Sequence, residues 1–249
     1  MNLFLLEPYE LSSAGSAQLS DHRAAHLLQV LKVGTGDTVR IGLLDGPVGA
    51  GIVTSAADGT VTLRCDFADA VPPRPAVDLL LALPRPKVLR RLWAQLAALG
   101  VGRIMLTNAA RVERNYFDTH VLTPACYRPL LVEGLQQARD TRLPVVSIHR
   151  RFTALFEDEL DGLSGDGTRR LVAQPGAPTT VATCVSRHPA ARVLLAVGPE
   201  GGWNEHEVGR LEAHGFTPVG MGPRTLRSDT ACISLLALVH AAMGADRVQ

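Results

Sequence analysis

The chain is predicted to be an α/β protein built on a mostly parallel sheet, with a smaller β-rich module ahead of it. Three observations carry that prediction. From Val77 onward, short apolar runs alternate with stretches of helical apolar period, the pattern of a parallel sheet covered on both faces. Before Val71 the period is two and the punctuation is rich in glycine, which suits an antiparallel sheet or small barrel. Between them, Val71-Pro72-Pro73-Arg74-Pro75 is stiff and extended, so the division falls there: residues 1-72 form the β-barrel-like module and residues 73-249 the second domain.

In the first module, Leu3 to Leu6 is a short apolar strand, and Ser20 or Asp21 caps a helix that runs through Val30. Asp37 to Gly42, Gly49 to Ser55 and Thr60 to Phe67 then alternate apolar and polar residues. Turns at Gly34-Thr35-Gly36, Asp45-Gly46-Pro47 and Asp58-Gly59 separate them. Gly34 to Val39 lacks the third glycine of a dinucleotide fingerprint, and a strand follows where that motif requires a helix.

In the second domain, the continuous apolar run Val77 to Leu83 reads as a strand buried on both faces. Val88, Leu89, Leu92, Leu96 and Leu99 recur at helical spacing, and Gly100 or Gly102 ends that helix. Ile104 to Leu106 is a strand, Pro124 to Arg139 a helix closed by Leu143-Pro144, and Val145 to Ile148 a further strand. The acidic, glycine-containing stretch Glu157 to Gly167 reads as a surface excursion, and Arg170 to Ala173 as a strand that ends at Gln174-Pro175-Gly176. The apolar run Ala191 to Val197 enters Gly198-Pro199-Glu200-Gly201-Gly202. An amphipathic helix, Asn204 to His214, leaves that loop, and the short strand Thr217 to Gly220 leads into the polar segment Met221 to Thr230. Ala231 to Met243 is a strongly apolar helix with Ser228 or Asp229 at its start. Both glycine-bearing loops therefore lie at the carboxyl ends of neighbouring strands, where open α/β sheets bind ligands.

With 249 residues, 46% hydrophobic and 20% charged, the chain buries a full core. The formal net charge of +1 conceals a segregation. Residues 1-72 carry Arg23, Lys32, Arg40 and Arg64 against Glu7, Glu10, Asp21, Asp37, Asp45, Asp58, Asp66 and Asp69. From Arg74 to Arg151 the basic residues far outnumber Asp78, Glu113, Asp118, Glu133 and Asp140. Such an excess suits a polyanionic partner, and equally a solvated basic face. No apolar stretch is long enough to span a bilayer and no signal-type core begins the chain, so a cytoplasmic location without membrane contact is expected. Cys65, Cys126, Cys184 and Cys232 are scattered, which favours buried thiols over a zinc ribbon or disulfide framework.

Familiar chemistries are missing from the sequence. It has no G-x-x-x-x-G-K-[ST], no G-x-S-x-G elbow, and no second histidine at zinc-helix spacing after His206-Glu207, so no metal is implied. The glycines of Gly198 to Gly202 let backbone approach a ligand closely. Glu200 inside that loop opposes an anionic ligand and favours a cation or hydroxyl and amine groups. Either loop alone equally suits plain helix caps.

Together the loops resemble a known family. Gly198-Pro199-Glu200-Gly201-Gly202, followed by Met221-Gly222-Pro223-Arg224-Thr225-Leu226-Arg227-Ser228-Asp229-Thr230-Ala231, is similar to Gly-Pro-Glu-Gly-Gly with Leu-Gly-x-Arg-Ile-Leu-Arg-Thr-Glu-Thr-Ala. That pair is the signature of the ribosomal small-subunit (16S) RNA uridine-N3 methyltransferases, which are S-adenosylmethionine-dependent enzymes of the SPOUT class. His26 to Lys32, Gly36-Asp37 and Asp45-Gly46 resemble the family's PUA-like N-terminal barrel. Leu99-Gly100-Val101 with Arg111 resembles its first strand-helix-strand unit.

The resemblance implies a SPOUT-type parallel sheet with a C-terminal trefoil knot, whereas pattern alone gives an unknotted doubly wound sheet. It implies a homodimer through the knot domain, with the Ile233 to Met243 helix contributing. S-adenosylmethionine is the implied cofactor, held by Gln174, Gly198, Pro199, Glu200, Gly201, Gly202, Met221, Gly222, Leu226, Ser228 and Thr230. A base for the uracil proton falls to Asp229 or Glu200, and stabilisation of charge on the base oxygens to Arg227. Lys87, Arg111, Arg114, Arg139, Arg142 and Arg224 are expected to meet ribosomal RNA or the small ribosomal subunit. The chain departs from the family at Ala94 to Gly100, at Gln136 to Pro144, and at Ser228-Asp229 in place of Thr-Glu. The donor loops thus match better than the acceptor half. A ribosome-assembly factor that binds RNA without catalysis, and a SPOUT methyltransferase for a different RNA, are the alternatives; a nicotinamide oxidoreductase would need a phosphate cradle.

Overall fold

A computed structural model describes residues 2–165, 167–187 and 191–244, without the side chains of Ser186 and Arg187. The chain forms two compact units: Met1–Arg74 with Leu131–Leu143, and Pro75–Leu130 with Pro144–Gln249.

The first unit carries a five-stranded sheet of β1 (Phe4–Leu6), β2 (Ser16–Leu19), β3 (Thr38–Leu43), β4 (Val48–Ala57) and β5 (Thr60–Phe67), in the order β1-β3-β4-β5-β2. It is mixed, because β1 pairs parallel with β3 while the other pairs are antiparallel. Alternation places Leu6, Leu19, Ile41 and Leu63 in one apolar core. Helix α1 (His22–Ala25) starts at Asp21, whose side chain accepts from the Arg23 N–H. The helix continues as a π-helical segment, His26–Leu31, ended by Lys32 in left-handed conformation. Strand β2 escaped the sequence reading because Ser16-Ala17-Gln18-Leu19 has too few apolar residues to display a period.

Residues 131–143 pack with this unit although they follow the proline-rich segment in the chain. The Thr141 hydroxyl donates to the Gly46 carbonyl at 2.6 Å, and Arg142 Nη1 to the Asp45 carbonyl at 2.7 Å. Gly42 must be small here, since a Cβ would lie 2.7 Å from Thr141 Cγ2.

The second unit holds a six-stranded, all-parallel sheet of β6 (Val77–Ala82), β7 (Val101–Thr107), β8 (Val145–His149), β9 (Arg169–Ala173), β10 (Val193–Val197) and β11 (Thr217–Val219). Their order is β11-β9-β10-β6-β7-β8. The central strands β6 and β10 are buried along their whole length, which explains their uninterrupted apolar sequences. Helices α2 (Pro86–Ala98), α3 (Pro124–Ala138, which crosses into the first unit), α4 (Phe152–Ala154), α5 (Leu160–Ser164), α6 (Val181–Arg187), α7 (Glu205–Ala213) and α8 (Ser228–Gly244) join them. The apolar helix α8 packs against α2, α6, β6 and β10.

The expected surface excursion at Glu157 to Gly167 is helical from Phe152 to Ser164 apart from a π-helical stretch at Leu155–Glu159. Its acids obscured a buried face of Leu155, Phe156 and Leu160. Of the cysteines, Cys184 and Cys232 are buried, whereas Cys65 and Cys126 are only partly so. Among the described residues no helix is long and apolar enough to cross a membrane.

Candidate active site

Strands β9, β10 and β11 end side by side, so their following loops meet. Gln174 N–H donates to the Val219 carbonyl at 3.0 Å, and Gly220 N–H to the Thr179 carbonyl at 2.9 Å. Between these loops and the start of α8 lies a cleft of about 320 Å³. Gly198, Gly201, Gly202, Gly220 and Gly222 bring backbone to its walls. A Cβ on Gly198 would sit 3.1 Å from the Trp203 indole, one on Gly220 3.2 Å from the Ala177 carbonyl, and Gly222 holds φ at 108°. Trp203 is buried on this wall, and its Nε1–H has no partner among the described residues.

Of the residues expected at the cofactor, Gln174, Gly198, Pro199, Glu200, Gly201 and Gly202 line the cleft. So do Met221, Gly222, Leu226 and Ser228. Thr230 does not; it is exposed in the first turn of α8. Arg224, expected on RNA, is a lining residue, as are Trp203, Thr225 and Leu235, which sequence reasoning missed. The position of Trp203 directly after the glycine loop was a usable signal. For Leu235, one apolar residue in a uniformly apolar helix, there was none.

The three residues expected to act on the acceptor are separated. Glu200 lines the cleft, and its Oε1 accepts from Arg85 N–H at 3.2 Å, at the positive amino end of α2. Asp229 and Arg227 lie outside the lining. Asp229 Oδ1 accepts from Thr230 N–H at 3.0 Å, Oδ2 from Arg91 Nη2 at 3.2 Å, and Arg227 Nε lies 3.6 Å from Oδ1. Arg227 itself is 75% exposed, which leaves most of its guanidinium open to a ligand. Beneath this pair Cys232 is fully buried; burial, and then the Asp229 charge, push its thiol up to about 12.

The basic residues expected to form an RNA face divide between the units. Lys87 and Arg114 are exposed on the second, at the start of α2 and of a 3₁₀ turn. Arg111, also there, donates from Nη1 to the Gly201 carbonyl. Arg139 and Arg142 belong to the first unit, where Arg139 ends α3 with φ at 62° and Arg142 is spent on the Asp45 carbonyl. Counting charge from sequence could not distinguish these commitments from free cations.

A parallel sheet with a cofactor-sized cleft at its carboxyl edge marks a ligand-binding α/β domain. Within that class, the sequence model of the RNA methyltransferase domain family matches residues 72–240, and the chain belongs to this family. It is 30% identical to the ribosomal RNA small subunit methyltransferase E of Treponema pallidum (strain Nichols), over 97% of the chain and 92% of the relative. The enzyme of the same name from Synechocystis sp. is 28% identical over 87% of the chain and 70% of the relative. Among solved structures, the chain is similar to a ribosomal RNA small subunit methyltransferase E from Neisseria gonorrhoeae bound to S-adenosyl methionine. The TM-score is 0.76 at 20% identity, over 97% of each chain. A methyltransferase from Legionella pneumophila in complex with the cofactor SAM gives a TM-score of 0.71 at 20% identity, again over 97% of each chain.

Proposed function

We propose that this chain is an S-adenosylmethionine-dependent methyltransferase that acts on N3 of a uridine in small-subunit (16S) ribosomal RNA, in the cytoplasm. The observation that carries the reading is the glycine-walled cleft at the ends of β9, β10 and β11 in a chain of the RNA methyltransferase domain family. The residues present fit the donor. Backbone at Gly198 to Gly202 and Met221-Gly222 would hold its nucleoside and amino-acid parts, and the unpartnered Trp203 Nε1–H offers a donor that a bound group would satisfy. Glu200 suits a cation better than a phosphate.

When bound, S-adenosylmethionine supplies a sulfonium methyl group open to in-line attack, so positioning contributes much of the rate. The work left to the chain concerns the acceptor. Asp229 would take the N3 proton, whose departure leaves the nitrogen lone pair free to bond the methyl carbon. Arg227 would neutralise the negative charge that develops on the uracil oxygens. Arg91, 3.2 Å from Asp229, keeps that carboxylate oriented. Glu200, the other candidate base, lines the cleft and accepts from Arg85 N–H, so it would shape the donor side of the site.

The same reading includes a trefoil knot of the SPOUT type in the loops after β9, β10 and β11, a PUA-like barrel that presents RNA, and a homodimer in which α8 contributes. The close meeting of the loops at Gln174, Thr179 and Gly220 supports the first, and the curled, mixed five-stranded sheet the second. Replacing Asp229 by Asn and Arg227 by Ala should leave donor affinity within about twofold and slow methyl transfer by roughly 10²-fold or more. Calorimetry with S-adenosylmethionine and single-turnover transfer to small-subunit RNA read the two effects separately; unchanged turnover in both variants rejects this assignment of roles.

A further inference from the structure

Charge alone groups Arg111 with the RNA-facing cations, but its surroundings point to other work. The segment after β7 is fixed from below by Glu207, a buried carboxylate whose Oε1 accepts from Ala110 N–H at 2.6 Å and whose Oε2 accepts from Asn204 N–H at 2.9 Å. The residue next to Ala110 therefore leaves an immobilised backbone. From there the Arg111 side chain crosses the donor loop and donates from Nη1 to the Gly201 carbonyl. Its aliphatic part fills the space over that glycine: a Cβ at Gly201 would meet Arg111 Cδ at 2.9 Å and Cβ at 3.3 Å. Gly201 lines the donor cleft, and its neighbour Gly202, with φ at 72°, turns the chain into Trp203 on the cleft wall.

We propose that Arg111 is a positioning residue for the methyl donor: anchored through Ala110 by Glu207, it clamps the Gly201 carbonyl and fixes the loop that forms one wall of the cleft. The proposal rests on the reading of that cleft as the S-adenosylmethionine site. One N–H of the guanidinium is given to a carbonyl of the donor loop, which ties the side chain to that loop. A role in donor binding is thereby set apart from a role as a phosphate contact, the two being told apart by salt dependence. The absence of a side chain at Gly201 has the same cause, since the position must leave room for the arginine stem to pass.

The test is a double-mutant cycle on the full chain, read by calorimetric titration with S-adenosylmethionine and by the salt dependence of small-subunit RNA binding. Arg111→Ala should raise the donor dissociation constant roughly three- to tenfold, the loss of one solvent-exposed hydrogen bond to the loop. The slope of RNA affinity against salt should not change. Gly201→Ala should weaken donor binding to a similar degree by displacing the arginine, and the double variant should be no worse than either single one. Both residues are exposed, so thermal unfolding should stay near that of the parent chain. Unchanged donor affinity in Arg111→Ala, with the salt slope reduced by about one, overturns the proposal and returns Arg111 to the RNA face. Strictly additive losses in the cycle also overturn it. If the parent chain itself binds no donor, the reading of the cleft falls, and the clamp falls with it.

Discussion

At 4% exposed, Glu207 holds a carboxylate away from water, and both of its oxygens accept backbone N–H groups. One of those groups belongs to its own helix start and the other to a residue 97 positions earlier. The local half was legible: Asn204 followed three residues later by glutamate is a capping box, and it forms as such. The distant half was not, because nothing in Asn108-Ala109-Ala110 signals that the Ala110 N–H will meet the start of a later helix. Glu207→Ala frees two part-buried backbone donors that water can partly satisfy, so the loss should be about 1–3 kcal/mol in all. Urea denaturation measures it, and a change below about 0.5 kcal/mol would mean that water replaces the carboxylate at no cost. The same distinction separates Arg111 and Arg142 from Lys87 and Arg114. Sequence lists cations, but only packing shows which of them are already bonded to carbonyls.

Elements were legible in proportion to how much apolar sequence they contain. β6 and β10 are buried throughout and α2 buries Val88, Leu89, Leu92 and Leu96, so their runs and periods stand out. β2 and α6 are short, and the helical stretch from Phe152 is masked by its acids. The opening helix shows a polar constraint that pattern reading also passes over. Arg23 is buried beside Glu10 and Asp21 and donates to both carboxylates as well as to the Leu5 carbonyl at 2.7 Å. Burial alone would raise both carboxyls. Hydrogen bonds and charge from Arg23, with a backbone N–H for each, outweigh it and hold them below their ordinary values of 4.5 and 3.8. Carboxyls depressed on folding contribute stability that is present above their unfolded values and lost as pH falls through their folded ones. The first unit should therefore weaken progressively as the pH drops below about 4.5. In Arg23→Met, stability should be lower near neutral pH and the acid-side slope flatter. Urea midpoints followed from neutral pH to about pH 3 give both quantities; an unaltered slope would show that Arg23 is not what holds the two carboxyls down.

For the molecule as a whole, strand and helix alternation announced a parallel sheet but not its order. Alternation is a local property, whereas β11-β9-β10-β6-β7-β8 records which distant segments share an edge. That order makes the site, because it sets the ends of β9, β10 and β11 together and joins Gln174, Gly198 to Gly202 and Met221-Gly222 around one cleft. The paired glycine motifs were readable as a resemblance, and the family match now covers residues 72–240. The packing of residues 131–143 with the first unit was not readable, since it depends on Thr141 and Arg142 meeting carbonyls of Gly46 and Asp45. The departures from the family signature, at Ala94 to Gly100 and Gln136 to Pro144, fall in the sequence outside the two glycine motifs, so the choice of acceptor is where direct measurement decides most. Purified chain should be incubated with methyl-labelled S-adenosylmethionine and small ribosomal subunits from cells that lack it, and the labelled nucleotide mapped by nuclease digestion and mass spectrometry. Label should appear in a single 3-methyluridine of the small-subunit RNA; donor binding without label in RNA, or label on any other atom or base, would overturn the assignment of this chain as a uridine-N3 methyltransferase.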